Sequence, residues 1–311
     1  KWSADAGLYG SCMTLGDAWA AEPRVGLEWQ ASERHTLSFG AGLFSQMQPR
    51  VIYYVLSGPA GEDRRQANLG LGFTRSAQAA MGYNFQVSEN LRFKTEIYGQ
   101  YLYDIPVNPI IPPYAVSNQG HGFFIDRRYA DSLVSDGSGI NLGAEFTFER
   151  FFHLNFYYLF TASLFNSTFE GADGMMRNTA FNVNYAMNAA AGYEFVMGRR
   201  RWGVMSFGLR ATWSGGSPYV PYDQAATVPQ AEPVYDWSKA YEPRYPDYRR
   251  AALRFGIRRN LPGYNLEFFL DLQYRTSFTN ISMQRIDPET GQIRDFFGMS
   301  FFPMGTWRIQ F

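Results

Sequence analysis

One cysteine, three histidines, no net charge and no long apolar run mark what this chain lacks. Cys12 stands alone, so no intrachain disulfide and no cysteine-based metal motif is available. Lys and Arg together number 28, as do Asp and Glu, which leaves no basic footprint for nucleic acid. Mean hydropathy is below zero. No 18-residue apolar stretch is present, so membrane-spanning helices are not expected. The histidines carry no metal spacing and no Ser neighbour: His35 and His153 fall at expected tight turns, and His121 lies alone in a long connection. Glu145 and Glu149 share one strand at a spacing of about 13 Å. Glycosidase carboxylates sit at about 5–9.5 Å, so this pair reads as a solvated wall. No catalytic residue, cofactor or metal is expected. The chain opens on Lys1-Trp2 without a signal segment, and the expectation is of a mature piece or part of a longer protein.

What is abundant is aromatic: 27 Phe, 21 Tyr and 7 Trp in 311 residues. They fall in stretches of strict alternation, the signature of β-strands with two unlike faces. In "GINLGAEFTFERF", Ile140, Leu142, Ala144, Phe146 and Phe148 oppose Asn141, Gly143, Glu145, Thr147 and Glu149. "NLRFKTEIYGQYLY" and "YNLEFFLDLQYR" repeat the pattern. Segments of ten to thirteen such residues match a tilted bilayer crossing, and ordinary soluble strands run to about half that length. About twelve strands are expected, near 4–13, 21–31, 35–45, 74–86, 90–103, 139–150, 153–165, 187–197, 201–213, 247–258, 264–276 and 300–311.

The connections alternate in length. "ASER", "VSEN", "RFF", "MGRR" and "NLPG" read as tight turns, and 46–73, 104–138, 166–186, 214–246 and 277–299 as long loops; 14–20 is the short exception. Tight turns at one rim and long loops at the other is the arrangement of an up-and-down transmembrane barrel. Trp29, Tyr83, Phe85, Tyr193, Phe195, Trp202, Tyr264 and Phe311 are expected to face outward at the short-turn rim. Phe165, Trp213, Tyr248 and Tyr274 are expected to do so at the other, the two bands forming interfacial girdles. A soluble β-protein would share the composition, but the second face carries too many charges to pack dry.

With "RNLPG" turning between Asn260 and Leu261, Arg254 is expected opposite Glu267 and Arg250 opposite Asp271, a charge ladder on the wet face. Arg199-Arg200-Arg201 reads as a solvated turn. In the long loops, Arg127, Arg128 and Tyr129 form one candidate ligand cluster, and Tyr219, Tyr222, Tyr235, Trp237 and Tyr245 another. Tyr and Trp offer rigid contact surface with polar tips. The simpler reading of these rings is that they pack the loops against each other.

Several stretches together resemble the C-terminal barrel of Bacteroidetes-type TonB-dependent receptors. They are "AEPRVGLEWQASERHTLSFGAGLFSQMQP", "FTRSAQAAMGYNFQVSENLRFKTEIYGQYLYDIPV", "GSGINLGAEFTFERFF", "YYLFTASLFNSTFEG", "MRNTAFNVNYAMNAAAGYEF", "GGSPYVP" and "PMGTWRIQF". Gln78 departs from the His expected after "TRS". The resemblance implies an all-β chain of about 12 strands belonging to a 22-stranded outer-membrane barrel, with residues 1–311 its C-terminal segment and the plug and N-terminal strands outside it. It implies active uptake of an iron chelate, cobalamin, a glycan or a peptide, energised through TonB. Outer-membrane lipid, the barrel-assembly machinery and a surface lipoprotein are the other implied partners. In "GTWRIQF", Trp307, Ile309 and Phe311 on one face resemble the terminal signal read by that machinery. A passive porin, or a barrel serving as a surface binding or adhesion platform, is the alternative. Twelve strands cut from a larger barrel are expected to form an open or partly closed sheet.

Overall fold

A computed structural model describes residues 1–57, 65–118, 132–198, 202–223, 225–227, 234–275, 281–287, 292–298 and 300–311. In chain order the elements are β1 (Trp2–Met13), β2 (Ala18–Gln30), β3 (His35–Gln46), the one-turn α1 (Arg50–Tyr53), β4 (Thr74–Ser88), β5 (Leu91–Val107), β6 (Val134–His153), β7 (Phe156–Glu170) and β8 (Met176–Asn178). They continue with β9 (Tyr185–Met197), β10 (Gly203–Ser214), β11 (Tyr248–Leu261), β12 (Tyr264–Arg275), β13 (Ile281–Ile286), β14 (Ile293–Phe297) and β15 (Phe301–Gln310). The twelve long strands pair antiparallel with their sequence neighbours in a single path from β1 to β15. β8 pairs with β7 beyond the wall, and β13–β14 form a separate hairpin. Among the described residues β1 and β15 do not pair, so the sheet is open.

Alternation builds two continuous faces because the registers keep like with like. Leu27, Phe39, Met81, Ile97, Ala144 and Leu164 are successive cross-strand partners on the outer face. Further round, Phe207 meets Phe255 edge-on at 5.3 Å, and Phe255 is partnered by Leu270. These side chains stay open: Leu8 is 78% exposed, Trp2 68% and Trp307 73%. A continuous apolar surface of this extent is not a water-facing surface; its natural solvent is hydrocarbon. No helix among the described residues is long and apolar enough to cross a membrane, which bears on helices alone.

On the inner face, bulky rings lie over glycines of the next strand. Tyr98 pairs with Gly143, where a Cβ would meet its Oη at 2.5 Å, and Tyr157 covers Gly192 in the same way. The ring supplies the packing that glycine lacks.

The tight turns and the loops occupy opposite rims, as the alternating lengths require. The β6–β7 turn falls at Leu154 and Asn155, not at Arg150–Phe152, with both residues at positive φ (51° and 66°). That is the backbone of a two-residue turn whose twist matches its flanking strands, and it extends β6 to His153. The β11–β12 turn falls at Pro262–Gly263, with Leu261 paired to Tyr264 and Gly263 at φ 89°. Proline fixed near −65° followed by glycine at positive φ is a type II turn.

This moves the register by four residues from the one expected. Arg254 pairs with Asp271, Arg258 with Glu267, and Arg250 with Arg275. An even shift preserves which residues share a face, so alternation alone does not distinguish the two registers. Two girdle assignments also change. Phe165 is the partner of Gly143, and Tyr248 of Ser214, which puts both on the inner face. Trp29, Tyr193, Phe195, Trp213, Tyr264 and Tyr274 are exposed on the outer side as expected, and Trp202, just before β10, is exposed.

Among the described residues, the conventional buried clusters lie beneath the long loops. Ile52, Tyr53, Leu71, Phe73, Tyr114 and Leu133 form one cluster, and Ile105, Val107, Phe169, Ala240 and Tyr241 the other. Fully buried Asn68 ties the first together, donating to the Ile52 carbonyl and accepting from the Leu133 N–H, both at 3.0 Å.

Candidate functional site

The connection between β10 and β11 folds back on itself as a ribbon. Pro218 bridges Arg244, and Tyr222 bridges Tyr235. The Tyr219 N–H donates to the Pro243 carbonyl and the Tyr241 N–H to the Tyr219 carbonyl, both at 3.1 Å. The five rings singled out from sequence lie along this ribbon. Tyr219 stacks on Tyr245 at 4.2 Å and 12°, Tyr222 meets Tyr235 at 4.9 Å, and Tyr235 meets Trp237 at 5.7 Å. All five are partly buried. Stacked pairs of this kind add about 0.5–1.5 kcal/mol beyond area burial.

Burial pushes the Tyr245 phenol up, with Tyr219, Tyr222 and Asp295 of β14 adding to it. Burial likewise raises Tyr219, again with a contribution from Asp295. Both phenols therefore remain neutral hydrogen-bonding groups at ordinary pH. The site is uncharged at its rings, which pack against one another. Arg127, Arg128 and Tyr129 lie outside the described residues, as do His121 and Arg199–Arg201.

The anchor of the ribbon is a residue that sequence reasoning missed. Tyr241 is 6% exposed, adopts φ 62°, and meets Phe169 of β7 edge-on at 5.6 Å. Its carbonyl accepts from Asn178 Nδ2 at 3.2 Å, linking the ribbon to β8. Burial pushes its phenol up to about 12, against a smaller lowering by its hydrogen bond with Asn118. Arg244 adds a second tie, donating to the carbonyls of Asn182 and Gly216. At the hairpin of β8, Asp173 accepts two bonds from Arg177, which hold its carboxyl at about 2. No periodicity marks Tyr241, because a loop core has none.

Below the loops, the inner wall carries ion pairs both between strands and along them. Arg254 binds Asp271 through two hydrogen bonds of 2.7 and 2.8 Å, Arg258 reaches Glu194 at 3.4 Å, and Arg308 reaches Glu267 at 3.2 Å. Arg92 pairs with Glu149 and Lys94 with Glu96. Neither expected rung forms: Arg254 meets Asp271 in place of Glu267, Glu267 meets Arg308, and Arg250 donates to Gln273. On β15, Trp307 packs beside Phe268 at 5.4 Å, and Phe311 approaches Tyr264 at 6.4 Å. Trp307, Ile309 and Phe311 all lie on the open outer face, 73%, 53% and 96% exposed. Among the described residues no group of His, Cys, Asp and Glu gathers as for a metal ion.

No protein-family model matches the sequence, and no curated protein matches it. Solved structures do match the fold. The ferric preacinetobactin receptor BauA from Acinetobacter baumannii aligns over 100% of this chain at 12% identity with a TM-score of 0.61. The ferric-catecholate import receptor Fiu from E. coli K12 aligns over 94% at 13% identity and 0.58. The ferric yersiniabactin uptake receptor FyuA from Yersinia pestis aligns over 99% at 11% identity and 0.54. The chain spans 40%, 35% and 40% of those proteins respectively. At such identities the likeness is one of fold: an antiparallel up-and-down sheet of the kind that walls those receptors.

Proposed function

We propose that this chain is the C-terminal part of the wall, with its outer loops, of an outer-membrane barrel that takes up an external ligand with energy delivered through TonB. The observation that carries the reading is the division of the sheet. Tight turns occupy one rim and long, internally packed loops the other, around a wall that is apolar outside and ion-paired within. Lipid accounts for the outer face, and a water-filled interior accounts for the inner one. The fold likeness to three proteins named as ferric-chelate receptors supports uptake over enzymatic or adhesive roles. The resemblance to Bacteroidetes-type receptors adds a plug and a TonB-contacting segment, which the proposal assigns to the protein beyond these 311 residues. In this reading the barrel-assembly machinery inserts the chain, and a surface lipoprotein is a candidate partner at the loop rim.

The ligand is received by the ribbon rings Tyr219, Tyr222, Tyr235, Trp237 and Tyr245, together with Arg127, Arg128 and Tyr129. Ligand transfer involves no covalent step, and the inner wall serves as a hydrated passage. The test is uptake by cells carrying the full-length protein, with and without TonB. Uptake that collapses when TonB is deleted supports the proposal; uptake that persists overturns it in favour of passive diffusion.

A further inference from the structure

One stretch of the inner wall gathers basic side chains. A cavity of about 320 Å³ opens from the inner face of β9–β12, lined among others by Arg210, Arg250, Arg254, Asp271, Gln273 and Tyr157. Three guanidinium groups share this cavity with one carboxylate. That carboxylate is already committed, since Asp271 accepts both of its bonds from Arg254, whose guanidinium also lies 5.1 Å over the Phe269 ring. Arg250 donates to neutral Gln273, and among the described residues neither Arg250 nor Arg210 has a carboxylate partner. By contrast Arg24, Arg92, Lys94, Arg258 and Arg308 on the same inner face are each paired with an acid.

Register explains why the three converge. Arg210 is the cross-strand partner of Ala252, which sits between Arg250 and Arg254 on β11, so Arg210 is diagonal to both. Such diagonal positions lie about 7–8 Å apart, within reach of long side chains. On its other side Arg210 is partnered by Ala190, and Arg254 by Gly208, so small residues form the floor and leave the cavity open. The position paired with Arg250 on β12 is another arginine, Arg275.

We propose that this cavity is a binding site for a small oxyanion-bearing ligand, a multiply charged carboxylate or phosphate held between Arg210 and Arg250 with Arg254 as the fixed third donor. Guanidinium forks match carboxylate and phosphate geometry. Gln273 and Tyr157 supply neutral polar walls. The proposal rests on the uptake reading for its biological sense, since the cavity lies on the passage side of the wall beneath the loops. Its binding chemistry is independent of TonB.

The test uses the full-length protein in detergent micelles, titrated calorimetrically with citrate, inorganic phosphate and, as a cationic counterpart, spermidine. Citrate is expected to bind, with affinity that falls as salt is raised, and spermidine is not. Arg210→Gln together with Arg250→Gln is expected to weaken citrate binding about tenfold or more, because each removes a hydrogen bond to a charged group. Neither change orphans a carboxylate, so unfolding midpoints are expected to match the parent protein. Arg308→Gln, elsewhere on the inner wall, is expected to leave citrate binding unchanged. No citrate binding in the parent protein overturns the proposal, including the case in which an acidic segment of the protein's own already fills the cavity. Citrate binding that survives the double substitution overturns it equally. A loss of citrate binding with TonB-dependent uptake intact, or the reverse, separates this site from the uptake reading.

Discussion

Arg254 and Asp271 face each other across the β11–β12 pair, joined by two hydrogen bonds of 2.7 and 2.8 Å while Asp271 is only 7% exposed. The pair sits in the register that the Pro262–Gly263 turn sets between the two strands. A double-mutant cycle on Arg254→Ala and Asp271→Ala, read from unfolding in detergent, is expected to give a coupling of about 1 kcal/mol, the upper end for opposed charges on adjacent strands. The same cycle on Arg254 and Glu267 is expected to give none, since they are no longer neighbours.

Gly263 tests the turn that sets this register. Its φ of 89° lies where side chains are strained, while a Cβ there would meet nothing within 4 Å. Gly263→Val is therefore expected to destabilise through backbone strain, by about 1–2 kcal/mol. Gly263→Asn is expected to cost less, because Asn tolerates this position of a type II turn. Equal destabilisation by the two, in unfolding measured from the same micelles, would contradict the turn assignment.

Tyr241 tests the loop layer. Tyr241→Ala is expected to cost about 3–5 kcal/mol of local packing, as for large buried aromatics. The loss should appear as faster hydrogen exchange across the 217–245 ribbon, with the exchange of β9 and β10 unchanged. Protection that persists in the ribbon would mean that Arg244 alone suffices to hold it.

The same phenol gives a pH dependence. Its folded value of about 12 lies above the ordinary phenol value of about 10, so the folded ribbon holds the proton more tightly than the unfolded one. The stabilisation is fully present below about pH 10 and is lost as pH rises through about 12, a change of roughly 2–3 kcal/mol. Ribbon exchange measured across this window is expected to accelerate in the parent protein. Tyr241→Phe is expected to remove that step while retaining the Phe169 contact.

Phe311 tests the closing strand. Removing it is expected to reduce the folded, heat-modifiable band of the full-length protein in outer membranes, with the ribbon loops unaffected where barrels do form. Insertion at parent levels would remove the terminal residue from any role in assembly.

The faces, the strand number and the sorting of loops were legible in the residues themselves. A period of two with Ile140, Leu142 and Phe146 opposing Asn141, Glu145 and Thr147 states which side is dry, and the closing Trp307-Arg308-Ile309-Gln310-Phe311 carries the same statement to the last residue. Alternation is a local property, set by the backbone of one strand. Register is not: moving β12 by four residues past β11 leaves every face intact, so only the Pro262–Gly263 turn decides that Arg254 meets Asp271. Phe165 and Tyr248 lie on the inner face, opposite Gly143 and Ser214, in step with the alternation of their own strands. The role of Tyr241 and the gathering of Arg210 with Arg250 and Arg254 depend on residues distant in sequence. Those arrangements were decided by tertiary structure, because contacts between separate elements are set by packing and pairing across the sheet, which no single strand's pattern contains.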